Sequence, residues 1–318
     1  MALHPFVRTM MDAARAAGRP GLSGGTPAQA RELVAAGRAA LGRGPEVGPV
    51  GDLSVPTRAG AVSARLYRAA RADDEVGLVV YLHGGGWVCG SVDDYDLLAR
   101  ALVAHSGCAV LSVEYRLAPE HPFPAGLEDA EDAVAWAAAN ACALLGAPRP
   151  VAVAGDSAGA NLATVAAARL EGRVPIALQC LFYPVADADL DRPSYREHGE
   201  GLPLTRGDMD WFFRHYVDDA RRADPEVAPV RRADLSGSSP AWIVAAQYDV
   251  LRDEALAYGE ALRRAGVPVE TRVVPGLAHG FARLFNHLPE ADAVVRDAAR
   301  ALRAALTAGA RRVGATAA

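Results

Sequence analysis

The sequence predicts an α/β fold: a mostly parallel sheet with helices packed on both of its faces. Three patterns predict it. Nearly continuous apolar runs, such as VGLVVYL over 76–82, suit strands covered on both sides. Amphipathic helical patterns follow these runs in alternation. Ahead of them, 51–57 and 61–68 alternate apolar and polar, as a hairpin with one exposed face would.

Along the chain, residues 5–17 and 27–42 read as helices separated by the breakers Gly18 to Thr26. Thr26 serves as a cap and Pro27 fills the first helical position. After the hairpin and the 76–82 strand, further strands are predicted over 109–115, 150–155, 176–182, 241–247 and 269–274. Helices are expected over 94–106, 126–145, 158–171, 253–265 and 289–308. From Tyr183-Pro184 to about Ala241 no strand pattern occurs, yet Trp211, Phe212, Phe213 and Tyr216 fall close together. A long excursion from a strand's carboxyl end suits a lid or substrate pocket. A helix laying an aromatic stripe on the body is the plainer reading, and one helix can do both.

Composition narrows the chemistry. The 318 residues carry 33 basic and 38 acidic side chains, a net charge of −5, and every basic residue is arginine. Without lysine there is no Schiff base, no P-loop lysine and no Ser-x-x-Lys pair. A mildly acidic chain without basic runs is a poor nucleic-acid ligand. No apolar run reads as a secretory signal or a bilayer span, so no membrane role and a cytoplasmic location are expected. Cys89, Cys108, Cys142 and Cys180 lie far apart, without zinc-ligand spacing; Cys142 and Cys180 are expected to be buried thiols rather than disulfide partners.

The chemistry concentrates in four places. Gly155-Asp156-Ser157-Ala158-Gly159 follows an apolar strand and opens a helix, the G-x-S-x-G arrangement in which Ser157 projects from a tight, strained turn. A serine hydroxyl needs a base, and of eight histidines His279 lies in a loop, 275–281, beyond the last strand. His105 reads as structural and His287 as a surface residue. A carboxylate must orient the base; Asp249 closes the 241–247 strand, while Asp253 suits the start of a helix. Finally, His83-Gly84-Gly85-Gly86-Trp87 follows a strand directly, and its glycines let main-chain amides face an oxyanion. Gly85 and Gly86, with Ala158, are the expected hole.

HGGGW, YRLAPEHPFPA (115–125), GDSAGANLA, DVLRDE and HGF, in this order, resemble the hormone-sensitive-lipase-like family of esterases, in its bacterial branch with GDSAG. The resemblance extends over residues 50–310. It implies an α/β-hydrolase fold with an eight-stranded sheet and a helical cap. It also implies Ser157 as nucleophile, His279 as base, Asp249 as its partner, and a structural role for His83. The expected domains are a catalytic one over 49–186 and 224–318, N-terminal cap helices over 1–48, and a cap insertion over 187–223. Trp87, Trp211 and Phe212 are candidate substrate contacts. The implied activity is hydrolysis of short- to medium-chain acyl esters through an acyl-enzyme, needing neither metal nor organic cofactor. An amide or carbamate hydrolase, a small-metabolite deacetylase, or a non-catalytic small-molecule receptor are the alternatives. A homodimer could form through an edge strand near 269–274 or the last helices.

Overall fold

The computed structural model describes residues 2–71 and 75–316. The eight strands are β1 (Val50–Thr57), β2 (Gly60–Tyr67), β3 (Leu78–Leu82), β4 (Ala109–Val113), β5 (Val151–Asp156), β6 (Ile176–Phe182), β7 (Ala241–Tyr248) and β8 (Val269–Ala278). They form one sheet in the order β1-β2-β4-β3-β5-β6-β7-β8. The hairpin β1–β2 is antiparallel and joins β4 antiparallel; every later pairing is parallel.

The unbroken apolar runs have a simple cause: both faces are buried. Val80, Leu82, Leu111, Val153 and Ile243 point into one core, beneath α4 (Ala125–Leu145), α5 (Ala158–Arg169) and α8 (Arg252–Arg264). Their alternates Val79, Tyr81, Val110, Ala154 and Trp242 point into another, under α3 (Asp96–Ser106) and α9 (Pro289–Thr316).

Register then places the chemistry. Leu82 of β3 pairs with Gly155 of β5, so the glycine loop and the serine turn leave the sheet side by side. Tyr248 of β7 pairs with Ala278 of β8, so Asp249 and His279 emerge as neighbours.

Ahead of the sheet lie α1 (Pro5–Ala16) and α2 (Pro27–Leu41); Thr26 caps α2 and exchanges bonds with Gln29. After β6 come α6 (Pro193–His198) and α7 (Arg206–Tyr216). The two regions meet at Asp208: its carboxylate caps α7 through Thr205 and accepts from the backbone and hydroxyl of Ser23, at 3.0 and 2.6 Å. Helix α6 rests on the Asp249 loop, where Ser194 Oγ donates to the Val250 carbonyl at 2.6 Å.

Three expectations need correction. Strand β8 runs through Pro275 and Gly276 to Ala278, so the loop that carries His279 begins at His279 itself rather than at Pro275. Proline and glycine read as breakers, but β8 is the sheet edge and its register shifts here, where a missing N–H is tolerated. Cys142 is exposed: it lies between the buried Ala141 and Leu145 on the wet side of α4, while Cys89, Cys108 and Cys180 are buried. Helix α9 continues past 308 to Thr316.

The YRLAPE segment is anchored by a buried ion pair. Asp129, fully buried on α4, accepts from the backbone, Nε and Nη2 of Arg116, at 2.8 to 3.0 Å. Asp129→Ala leaves this half-buried guanidinium unpaired, and a loss of about 3 kcal/mol is expected, read from the urea midpoint. A variant as stable as the parent overturns the assignment.

Candidate active site

The site begins with backbone geometry. Ser157 lies at φ 54, ψ −122, a conformation that L-residues avoid unless the surroundings enforce it. Those surroundings are its own main chain: its N–H donates to the Phe182 carbonyl at 2.9 Å, and its carbonyl accepts from Asn161 and Val185. Gly159 serves a different need. A methyl group there would come within 2.0 Å of the Leu82 carbonyl, so α5 can pass the end of β3 only without a side chain.

Side-chain geometry follows. Asp249, 1% exposed, accepts from His279 Nδ1 at 2.7 Å, and its other oxygen accepts from the Leu251 amide at 2.9 Å. A carboxylate only accepts, so Nδ1 bears the proton and Nε2 is the free base. Ser157 Oγ stands 3.0 Å from Nε2 and donates to it. The Tyr183 ring packs against the imidazole, centroids 4.7 Å apart, and fixes its plane.

The glycine loop starts beside the serine turn, tied to it by the bond from the Gly84 amide to Asp156. Among the described residues, no acceptor engages the amides of Gly85, Gly86 or Ala158. Gly86 has φ +60, and a Cβ on it would fall 2.2 Å from the ring of Phe212. Phe212, from α7, therefore lies directly on the loop. Trp87 and Trp211 are placed differently: Trp87 is buried and stacks parallel on Tyr216 at 4.2 Å, and Trp211 packs edge-on against Phe212.

Asp156, which the motif gave no task, turns out to join two of the motifs. It is buried, and one of its oxygens accepts from the Gly84 amide at 2.8 Å and the Tyr81 hydroxyl at 2.7 Å. Burial lifts its carboxyl above the usual range, against the Tyr81 bond, which favours the charged form. Glu254 was likewise unassigned; it is fully buried and accepts from the Ala186 amide at the root of the insertion. Asp253 opens α8 as expected, and it also accepts from the Ser194 amide at 2.8 Å. No single-residue pattern flags these roles, since each partner is distant in sequence.

His83 bonds to the Gly84 carbonyl through Nδ1 at 2.8 Å, between the rings of Tyr95 and Tyr115. Of the other histidines, His105 faces Asp292 at 3.7 Å, and exposed His287 bonds to the Ala40 carbonyl. Among the described residues no group of three or more His, Cys, Asp or Glu side chains is placed to hold a metal ion. No helix there is long and apolar enough to cross a membrane.

Fold and motifs together define an α/β-hydrolase. A family model described as an alpha/beta hydrolase fold matches residues 79–283, and the chain belongs to that family, in its hormone-sensitive-lipase-like group of esterases. It is similar to carboxylic ester hydrolase LipN of Mycobacterium tuberculosis, 43% identical over 267 residues, spanning 81% of this chain and 71% of LipN. It is also similar to the ethyl acetate hydrolase of Pseudomonas putida, 39% identical over 79% of this chain and 81% of that protein. The crystal structure of a hyperthermophilic esterase from Pyrobaculum calidifontis superposes with a TM-score of 0.89 at 36% identity, covering 96% of this chain and 99% of that one.

Burial drives the His83 imidazole down from 6.5 to about 4. The unfolded chain then holds the extra proton between these values, so this residue costs stability as pH falls through that window, about 3 kcal/mol in full. The expected result in an NMR titration is an imidazole that stays neutral at pH 5. A His83 resonance moving near pH 6.5 contradicts it.

Proposed function

We propose that this protein is a serine carboxylesterase acting on short- to medium-chain acyl esters, with Ser157 as nucleophile, His279 as general base and acid, and Asp249 as the group that orients it. The single observation carrying the reading is the hydrogen-bonded run from Ser157 Oγ through His279 to Asp249. As Oγ bonds to the ester carbonyl carbon, its proton passes to His279 Nε2, and the imidazolium formed is stabilised by Asp249. The carbonyl oxygen becomes an oxyanion facing the amides of Gly85, Gly86 and Ala158. Its collapse expels the alkoxide, which takes the proton from Nε2 and leaves an acyl-enzyme. Water, deprotonated by His279, then attacks the acyl carbon; the acid departs and Ser157 regains its proton. The similarity to LipN, a carboxylic ester hydrolase, supports ester hydrolysis, and that to the ethyl acetate hydrolase of Pseudomonas putida supports an ester with small groups.

In this reading residues 1–48 and 187–223 form a cap over a catalytic domain of 49–186 and 224–318. Trp211 and Phe212 contribute to substrate contact, Phe212 by its place on Gly86, while Trp87 acts from behind the loop. The protein works in the cytoplasm, and the open edge of β8 is available for a homodimer.

Ser157→Ala is expected to lower kcat for p-nitrophenyl acetate by about 10⁴–10⁶-fold. A fluorophosphonate probe should label the parent at Ser157 and not the variant. Unchanged turnover in the variant refutes the assignment, and an unlabelled parent with no turnover indicates a receptor. Across acyl lengths and aryl amides, highest activity is expected on short to medium acyl esters; a peak on long-chain emulsified triglyceride or on amides counts against the substrate class.

A further inference from the structure

The loop that carries Gly85 and Gly86 returns through a tight turn, with the amides of Val88 and Cys89 donating to the Gly85 carbonyl. Trp87 and Val88 are buried at this turn, and their own carbonyls belong to no strand or helix. The Trp87 carbonyl is met by the Ala118 amide at 2.9 Å. The Val88 carbonyl is met from outside the sheet altogether, by Arg31 of helix α2.

Arg31 places its donors in two directions. Nε donates to the Val88 carbonyl at 2.8 Å and Nη2 to the Ala118 carbonyl at 2.9 Å. Nη1 and Nη2 also grip the carboxylate of Glu120 at 2.8 and 2.6 Å, and that carboxyl is drawn down to about 2. The guanidinium is thus a planar bridge between the glycine turn and the 117–120 segment, and Glu120 fixes its plane. An ammonium has no such fork and cannot span both carbonyls in one plane.

We propose that Arg31 is a positioning residue for the oxyanion hole: by pinning the Val88 carbonyl to that of Ala118, it holds the turn so that the Gly85 and Gly86 amides face the site. This rests on the esterase reading above. It gives the N-terminal helix a part in transition-state stabilisation, because donor placement matters when charge develops on the substrate oxygen and little when the neutral ester binds. Small misplacements of such groups are costly.

The test compares Arg31→Ala and Arg31→Lys with the parent, and with Arg38→Ala as control. Arg38 lies on the same helix and pairs with Asp93 and Asp94, with no hydrogen bond to residues 85–89 among the described residues. For p-nitrophenyl acetate, both Arg31 variants should lose about 10- to 100-fold in kcat with KM within about threefold. Affinity for an aryl trifluoromethyl ketone, whose hemiketal with Ser157 places an oxyanion in the hole, should fall in parallel. Methylguanidinium at tens of millimolar, about the concentration useful for filling such a vacated half-exposed site, should recover activity in Arg31→Ala and not in Arg38→Ala. An unchanged kcat, a rise in KM alone, or an equal loss of kcat in Arg38→Ala overturns the proposal, since each makes Arg31 an ordinary helix anchor. If the parent itself is not labelled at Ser157 by a fluorophosphonate, the esterase reading fails instead, so the two failures are separable.

Discussion

The close approach of Gly159 to the end of β3 is the constraint from which the rest of the site follows. Helix α5 leaves the sheet so sharply that its second residue has no room for a Cβ beside the Leu82 carbonyl. That contact sets the first turn of α5 against the loop that starts at His83, while hydrogen bonds of its own main chain hold Ser157 at positive φ. The nucleophile strand and the glycine loop are therefore not two features that happen to meet. One backbone contact positions both, and the register of β3 on β5 holds it in place.

Around that contact, charge is buried where it can tie segments together. Asp156 joins the serine turn to Gly84, and Glu254 joins α8 to the root of the insertion. Asp129 fixes Arg116 and, through the neighbouring Tyr115, whose hydroxyl donates to the His83 carbonyl, steadies the start of the glycine loop. Each of these carboxylates is buried and each answers backbone N–H groups, which is how buried acids are accommodated. The second face of the same scheme is arginine: with no lysine in the chain, every permanently charged cationic side chain is a planar guanidinium. Arg116 meets its carboxylate with two side-chain donors, and Arg31 spans two carbonyls and a carboxylate.

Legibility followed range. Local devices were readable: Thr26-Pro27 at the head of α2, the unbroken apolar strands, the glycines beside Ser157. The order of motifs along the chain also identified the family. The edge strand near 269–274 was anticipated, but not its continuation through Pro275 and Gly276, which looked like a loop and are a shifted stretch of that strand. Cys142 was misjudged because helical spacing alone does not say which neighbouring face of α4 is wet. Asp156 was visible as a letter of the motif, but its bond to Gly84 spans 72 residues and leaves no local trace.

By itself, the sequence determined which chemistry is available: a serine, an aspartate and a histidine in hydrolase order, glycines able to expose amides, and no lysine to offer another route. These depend on residue type and short spacing, which the chain states directly. Tertiary structure alone decided which groups meet. Strand register brought Asp249 beside His279, the passage of α5 past β3 brought Ser157 beside the glycine loop, and the return of α2 onto Val88 gave one arginine a place among those it resembles. Such pairings are set by the packing of distant segments, and no local pattern encodes them.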